Sequence, residues 1–377
     1  MSGKSPGLEA RLAAEIAESG PMPFARFMER ALYDPEAGYY ASGKSVIGRR
    51  GDFFTNVSVG PVYGEILAGQ FVEMWRALGQ PGDFVLVEQG AGDGQLARDV
   101  LEALASSPLD RPPLILIEPS GELRARQAAT LAGQNVSWVG EPEALPPVCG
   151  VHYSNELFDA FPVHLVRSIG DGWTGLHVDR ENNAFIWREA PLSGEVEQIV
   201  GSFPLRPKGF TTEVCVAHRP LLQALAAKFL RGFLLAVDYG MSQESLLAGH
   251  RTGGTLSCYR GHRRDANPLE APGDKDLTAH VNFSRLARDA VEAGWQFLNF
   301  ADQHHFLVGA ASLLLLSLDG VPPTPSGKKK LASLRMLIHP ETMGRQFQVI
   351  CFSKGVPSAN LSGFQHAGTP ALDENGF

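Results

Sequence analysis

Residues Asp83 to Gln95, DFVLVEQGAGDGQ, constrain this chain more than any other stretch. Phe84-Val85-Leu86-Val87 is a short apolar run, β-branched in part, and it predicts a buried parallel strand. Glu88 follows, then Gly90, Gly92 and Gly94. In LARDVLEAL, the residues Leu96, Val100, Leu101 and Leu104 fall on one helical face. Strand, glycine turn and helix, in that order, open a nucleotide-binding α/β sheet.

The spacing of the glycines helps choose the ligand. Dinucleotide folds use G-x-G-x-x-G, with pyrophosphate at the helix N-terminus. Here the pattern is G-x-G-x-G, and Gln95 stands where the third dinucleotide glycine belongs. Glu88 and Asp93 flank the turn and are expected to repel a phosphate. Negative charge suits a ligand carrying an amino group and a sulfonium, which describes S-adenosylmethionine. On their own, the glycines are also compatible with a plain structural turn. The next strand adds weight: Leu114-Ile115-Leu116-Ile117 ends in Glu118. An acid there can accept hydrogen bonds from both ribose hydroxyls. A cap or surface acid before the helix at 121–131 is the plainer alternative.

With 377 residues, the chain has room for one large α/β domain with insertions, or for two domains. The net charge of −8 argues against a nucleic-acid partner. Cys149, Cys215, Cys258 and Cys351 are scattered, with no C-x-x-C pair, so neither a zinc site nor a disulfide framework is indicated. Reduced thiols, and a first segment without the apolar core of a secretory signal, predict the cytoplasm. No apolar run approaches the ~20 residues of a membrane span, so no membrane partner is expected.

The organisation expected along the chain is as follows. Residues 1–82 form an N-terminal helical extension and a loop over the cofactor. Residues 83–162 are the first half of a Rossmann-like core. Within them, Asn155 and Glu156 end the strand VHYS, where ligands of open α/β sheets sit. Helix capping by Ser154 or Asn155, with acids in the first turn, is the alternative. Residues 163–212 break the rhythm: HLVRSI, GLHVDR and AFIWRE read as antiparallel strands joined by Gly-Asp-Gly and Glu-Asn-Asn turns. Residues 213–354 complete the core. They include a long loop at 257–283 and a polar connector through Lys328 to Lys330. Residues 355–377, rich in Gly, Ser, Pro and Ala, read as a mobile tail.

RALYDPEAGYY, GDFFT, VEQGAGDG, SNELFDAFPVH, VDYG, DLTAHVNF and MGRQFQV together resemble the MidA family of S-adenosylmethionine-dependent methyltransferases. That family includes the mitochondrial complex I assembly methyltransferase, which acts on a protein arginine. The resemblance spans roughly residues 22–353. It implies an α/β, Rossmann-like class I methyltransferase core with an N-terminal helical extension and a β-rich insertion. It also implies cofactor contacts at Gly90, Gly92, Gly94 and Glu118. The loop residues Gly51, Asp52, Phe53 and Thr55, with Glu88 and Asn155, join them as cofactor-site candidates. The chain departs from the family where Asn56-Val57-Ser58-Val59 replaces Ala-Pro-Glu after Thr55, and where Ala91 and Asp93 replace Pro and Arg. His304-His305 stands where a glycine-containing turn is expected. These changes mark a divergent branch.

Three functions follow from this reading. The first is methylation of a protein partner at arginine, with Glu156 as the carboxylate that holds the guanidinium and Asp159 as a second acid. The second is methylation of a small molecule at oxygen or nitrogen, with His280 or His262 as general base near its ordinary pKa of ~6.5. The third is a cofactor-binding assembly factor without turnover.

Overall fold

A computed structural model describes residues 7–40, 55–260, 263–318, 324–356, 358–367 and 372. The chain forms two compact units. The core unit takes Phe54–Leu157, Arg219–Ser242 and Val281–Phe377; the other takes Met1–Phe53, Phe158–His218 and Gln243–His280.

The core unit is built on seven strands: β1 Phe84–Gln89, β2 Leu114–Ile117, β3 Val136–Val139, β4 Val148–Asn155, β5 Phe229–Met241, β6 Gln296–Asp302 and β7 Phe347–Lys354. Their order in the sheet is β6-β7-β5-β4-β1-β2-β3, and the short strand Val281–Asn282 pairs β5 as an eighth. From β5 to β3 every pairing is parallel, while β7 runs antiparallel to both β5 and β6. All four residues of β2 are buried, which is why that strand is apolar throughout. Helix Gln95–Leu104 buries Leu96, Val100, Leu101 and Leu104, as its period requires. Helix Val62–Ala77 adds Phe71, Leu67 and Ile66 to the same core cluster.

This order positions the site. The chain winds outward through β1, β2 and β3, then crosses back to place β4 on the far side of β1. Ligands of open α/β sheets bind outside the carboxyl ends of the strands at such a reversal. The register aligns those ends: Ile117 lies beside Gln89, Gln89 beside Ser154, and Ser154 beside Ala236. One residue further on stand Glu118, Gly90, Asn155 and Val237.

The second unit holds a five-stranded antiparallel sheet. His164–Ser168, Trp173–Glu181 and Ala184–Ala190 match the three expected strands, and Thr211–Val214 carries the sheet past residue 212. Asn182 and Asn183 both adopt positive φ, 48° and 64°, in the hairpin turn that the two asparagines predict. Helices Leu8–Ser19 and Phe24–Tyr33 bury Leu12, Phe24 and Phe27 in one cluster with Leu165 and Val178.

Four expectations are corrected. The N-terminal helices group with the inserted sheet, while 54–82 belongs to the core unit, so the boundary at 82 moves. Residues 257–283 are not simply a loop: Ser257–Arg260, Arg263–Asp265 and Asp276–Thr278 pair into a small antiparallel sheet. Lys328 to Lys330 lie within helix Pro325–Ile338, which Thr324 caps by accepting from the Gly327 N–H. The described part of the tail packs: Leu361 and Phe364 are buried, and the Gly363 N–H donates to Gln70 Oε1 at 3.0 Å. Apolar side chains hold this segment despite its small, polar neighbours.

Candidate functional site

The glycine turn is left-handed at three places, with φ of 77° at Gly90, 56° at Gly92 and 84° at Gly94. A Cβ on Gly90 would also stand 3.2 Å from Leu157 Cδ1. The sequence therefore uses glycine where any other residue is strained. Gly94 caps helix Gln95–Leu104, and Asp93 Oδ1 accepts from the Gln95 N–H at 3.2 Å. The Asp93 carboxylate thus settles the first turn of the helix from within the loop.

Glu118 is buried just past β2. Its Oε1 accepts from the Ser120 N–H at 2.8 Å and its Oε2 from Gln127 Nε2 at 3.1 Å. Burial raises its pKa, and those two hydrogen bonds oppose the rise. Gln127 is fully buried and makes two further bonds: Nε2 donates to Gly92 O at 2.9 Å, and Oε1 accepts from Trp138 Nε1 at 2.9 Å. One amide therefore ties the glycine turn to the acid. The sequence reading missed it. The available signal was a glutamine four residues after Leu123, on the buried stripe of its helix.

Glu88 differs from expectation. It is buried at the end of β1, and the Tyr153 hydroxyl donates to its Oε2 at 2.7 Å. Burial pushes its pKa up to about 8. At neutral pH it is mostly uncharged, so the negative charge expected beside the turn falls to Asp93.

At the carboxyl end of β4, Glu156 is a non-glycine residue with φ of 56°. Its N–H donates to Val237 O at 2.9 Å, and the next N–H, that of Leu157, donates to Asp238 Oδ2 at 3.0 Å. These bonds hold a backbone conformation that costs about 1–3 kcal/mol. Asn155 Nδ2 donates to Glu156 Oε1 at 2.8 Å. Asn155 Oδ1 accepts from Tyr63 OH at 2.9 Å and from Asn56 Nδ2 at 3.2 Å. Two bonds fill that oxygen. Asn155, expected at the cofactor, here spends its amide on Tyr63, Asn56 and Glu156. Tyr63 and Asn56 were not anticipated. Thr55 Oγ1 pairs with Ser58 Oγ at 2.9 Å. Gly51, Asp52 and Phe53 lie outside the described residues, as does His262.

Asp159 and His280 belong to the second unit. Asp159 is buried, and its backbone oxygen accepts from the Ala279 N–H at 2.9 Å. His280 does not keep an ordinary imidazole: burial, and then the cations Arg251 and Arg264, lower its pKa to about 4. Among the described residues, no group of His, Cys, Asp or Glu is arranged to hold a metal ion. No helix there is long and apolar enough to cross a membrane.

A sheet of this order, with a left-handed glycine turn and a buried acid at its reversal point, defines the class I S-adenosylmethionine-dependent methyltransferase fold. The comparisons with known proteins agree. Residues 66–301 match the profile of a family described as "Putative S-adenosyl-L-methionine-dependent methyltransferase", and the chain belongs to that family. A crystal structure of a protein from Burkholderia thailandensis bound to S-adenosyl-homocysteine is 32% identical, with a TM-score of 0.85. The match covers 96% of this chain and 95% of that one. The mitochondrial protein arginine methyltransferase NDUFAF7 homolog of Drosophila melanogaster is 29% identical over 96% of this chain and 88% of its own. The mitochondrial NDUFAF7 of Danio rerio, also named a protein arginine methyltransferase, is 30% identical over 89% and 84%. The protein is an S-adenosyl-L-methionine-dependent methyltransferase, and that compound is its cofactor.

Proposed function

We propose that this enzyme methylates an arginine side chain of a protein partner, with Glu156 holding the guanidinium. The observation that carries the reading is the left-handed Glu156 backbone at the end of β4. Strain of this kind persists where surrounding structure over-determines it, and it clusters at functional sites. The names of the fruit-fly and zebrafish relatives point to the same acceptor. On the cofactor side, we assign Gly90, Gly92, Gly94 and Glu118 to S-adenosylmethionine. Thr55 is assigned to the same cofactor. The fit rests on exposed Gly90 backbone without a Cβ and on an acid whose two oxygens are held by Ser120 and Gln127. The compartment we propose is the cytoplasm, supported by four free thiols.

Arginine remains cationic in proteins, so a carboxylate can both pair with it and orient one nitrogen. Transfer forms an N–CH3 bond, breaks the S–CH3 bond, leaves a neutral thioether and releases one proton. Much of the rate comes from alignment of the attacking nitrogen, the methyl carbon and the sulfur. The test is incubation of the purified protein with methyl-labelled cofactor and host lysate. Label should appear in a protein band that yields methylarginine on hydrolysis, and Glu156→Gln should lower its rate of appearance about a hundredfold. Label confined to the small-molecule fraction would overturn the reading.

A further inference from the structure

We propose that Asn56 and Tyr63 are positioning residues for Glu156, acting through the amide of Asn155. This rests on the reading of Glu156 given above. The chain of contacts has a direction. Leu337 O is a backbone carbonyl and can only accept, and Gln303 Nε2 donates to it at 3.1 Å. The same nitrogen donates to Asn56 Oδ1 at 2.9 Å. That leaves Asn56 Nδ2 to donate onward, and it meets Asn155 Oδ1 at 3.2 Å. Tyr63 OH donates to that same oxygen at 2.9 Å. With its oxygen end fixed by two donors, Asn155 turns Nδ2 toward Glu156 Oε1, at 2.8 Å. Each amide has one donor end and one acceptor end, so the carbonyl of Leu337 sets the polarity of every later link.

Burial makes the arrangement costly to reverse. Asn56 and Gln303 are fully buried and Tyr63 is 1% exposed. A donor or acceptor left unmade there loses its full desolvation cost. The consequence for Glu156 is that its carboxylate receives a charge-assisted bond from a donor that cannot turn away. Asn56 is one of the residues by which this chain departs from the family pattern after Thr55. In this chain the relay gives Asn56 a structural purpose.

The variant that tests it is Asn56→Asp. It keeps the size of the side chain and the acceptor for Gln303, and it replaces the donor facing Asn155 with a second acceptor. Tyr63→Phe removes the other donor without changing the packing, and it serves if Asn56→Asp does not fold. The first measurement is side-chain amide NMR on the full chain with isotope-labelled asparagine, the Asn155 pair being assigned by its absence in Asn155→Asp. In the parent, the two Asn155 amide protons should be separated and protected from exchange. Either variant should shift and deprotect them. Spectra in which the pair is unchanged in both variants overturn the relay, whatever the acceptor proves to be.

The second measurement is transfer of labelled methyl to the protein fraction of host lysate. In the variants the initial rate of transfer should fall about tenfold, with S-adenosylhomocysteine affinity by calorimetry held within about twofold, since one such bond contributes roughly a factor of ten. A loss of affinity that matches the loss of rate would make these residues cofactor contacts and overturn the positioning role. Full transfer by Glu156→Gln would instead defeat the assignment of Glu156, and the amide spectra would still decide the relay.

Discussion

The Tyr153 hydroxyl donates to Glu88 Oε2 at 2.7 Å between two adjacent strands, and both side chains are buried. Folding therefore encloses a carboxyl group that is mostly protonated at neutral pH, because burial lifts its pKa from 4.5 to about 8. The folded pKa lies above the unfolded one. The native state then binds more protons than the unfolded state between those two values. Stability from this group is fully present below pH 4.5 and is lost as the pH rises toward 8, by up to about 1.4 kcal/mol per pH unit. Glu88→Gln should flatten this slope. Urea unfolding of the parent and the variant at pH 5 and pH 8 will show a smaller gap between the two pH values in the variant. Parallel curves would place Glu88 in contact with water.

Gln127 joins Gly92 O to Glu118 Oε2 through a single nitrogen. Gln127→Leu keeps the volume and leaves both acceptors without that donor. Glu118 then loses a bond that holds its carboxylate in place. Affinity for S-adenosylhomocysteine should fall about tenfold, the value of one hydrogen bond to a charged group. Calorimetry on the folded variant checks this, and unchanged affinity would mean that Glu118 is positioned by Ser120 alone.

Local pattern was enough to read β1, the glycine turn, the helix after it and Glu118, because each depends on residues close in the chain. The inserted hairpins were legible for the same reason, through alternation and the Asn182-Asn183 turn. The polar network was not. Gln127 reaches Gly92 across 35 positions, Asn56 reaches Asn155 across 99 and Gln303 reaches Asn56 across 247. No window of sequence contains both partners. The sheet at 257–278 escaped because its strands are three or four residues long and separated by Pro and Gly. The expectation that Glu88 repels a phosphate treats it as an anion, and its charge state depends on burial between strands, which local pattern does not show.

The segment after β7 supplies a stability test. Phe364 is 7% exposed and packs edge-on against Phe306, with ring centroids 5.2 Å apart. Phe364→Ala should destabilise the core unit by about 3 kcal/mol through lost burial and the cavity left behind. Chemical denaturation reads the change directly. A shift under about 0.5 kcal/mol would restore the picture of a mobile tail.

His280 addresses the small-molecule reading. With a pKa near 4 it is neutral throughout the physiological range. A general base with an ordinary imidazole would impose an inflection near pH ~6.5 on the rate. Methyl transfer between pH 5.5 and 8 should show no inflection there that vanishes in His280→Gln, and that variant should keep its rate within about twofold. An inflection that disappears with the imidazole would return His280 to the catalytic centre.

The cofactor assignment itself is open to direct test. Gly92 carries φ of 56°, so Gly92→Val places a branched side chain in a conformation it rarely adopts, on backbone that we assign to the ligand. Binding of S-adenosylhomocysteine should be abolished while the far-UV spectrum keeps most of its native form. Glu118→Ala should weaken binding about tenfold or more, since each hydrogen bond to the carboxylate is worth roughly 1.5–3 kcal/mol at most. NAD should not compete. Its pyrophosphate would meet Asp93, whose carboxylate sits at the start of helix Gln95–Leu104 and accepts from the Gln95 N–H. Because Glu88 is largely neutral, this discrimination rests on Asp93, and Asp93→Asn is the variant in which NAD binding should first become measurable. Calorimetric competition with both ligands separates the outcomes. NAD binding by the parent as tight as that of S-adenosylhomocysteine would remove Asp93 from the selection of ligand.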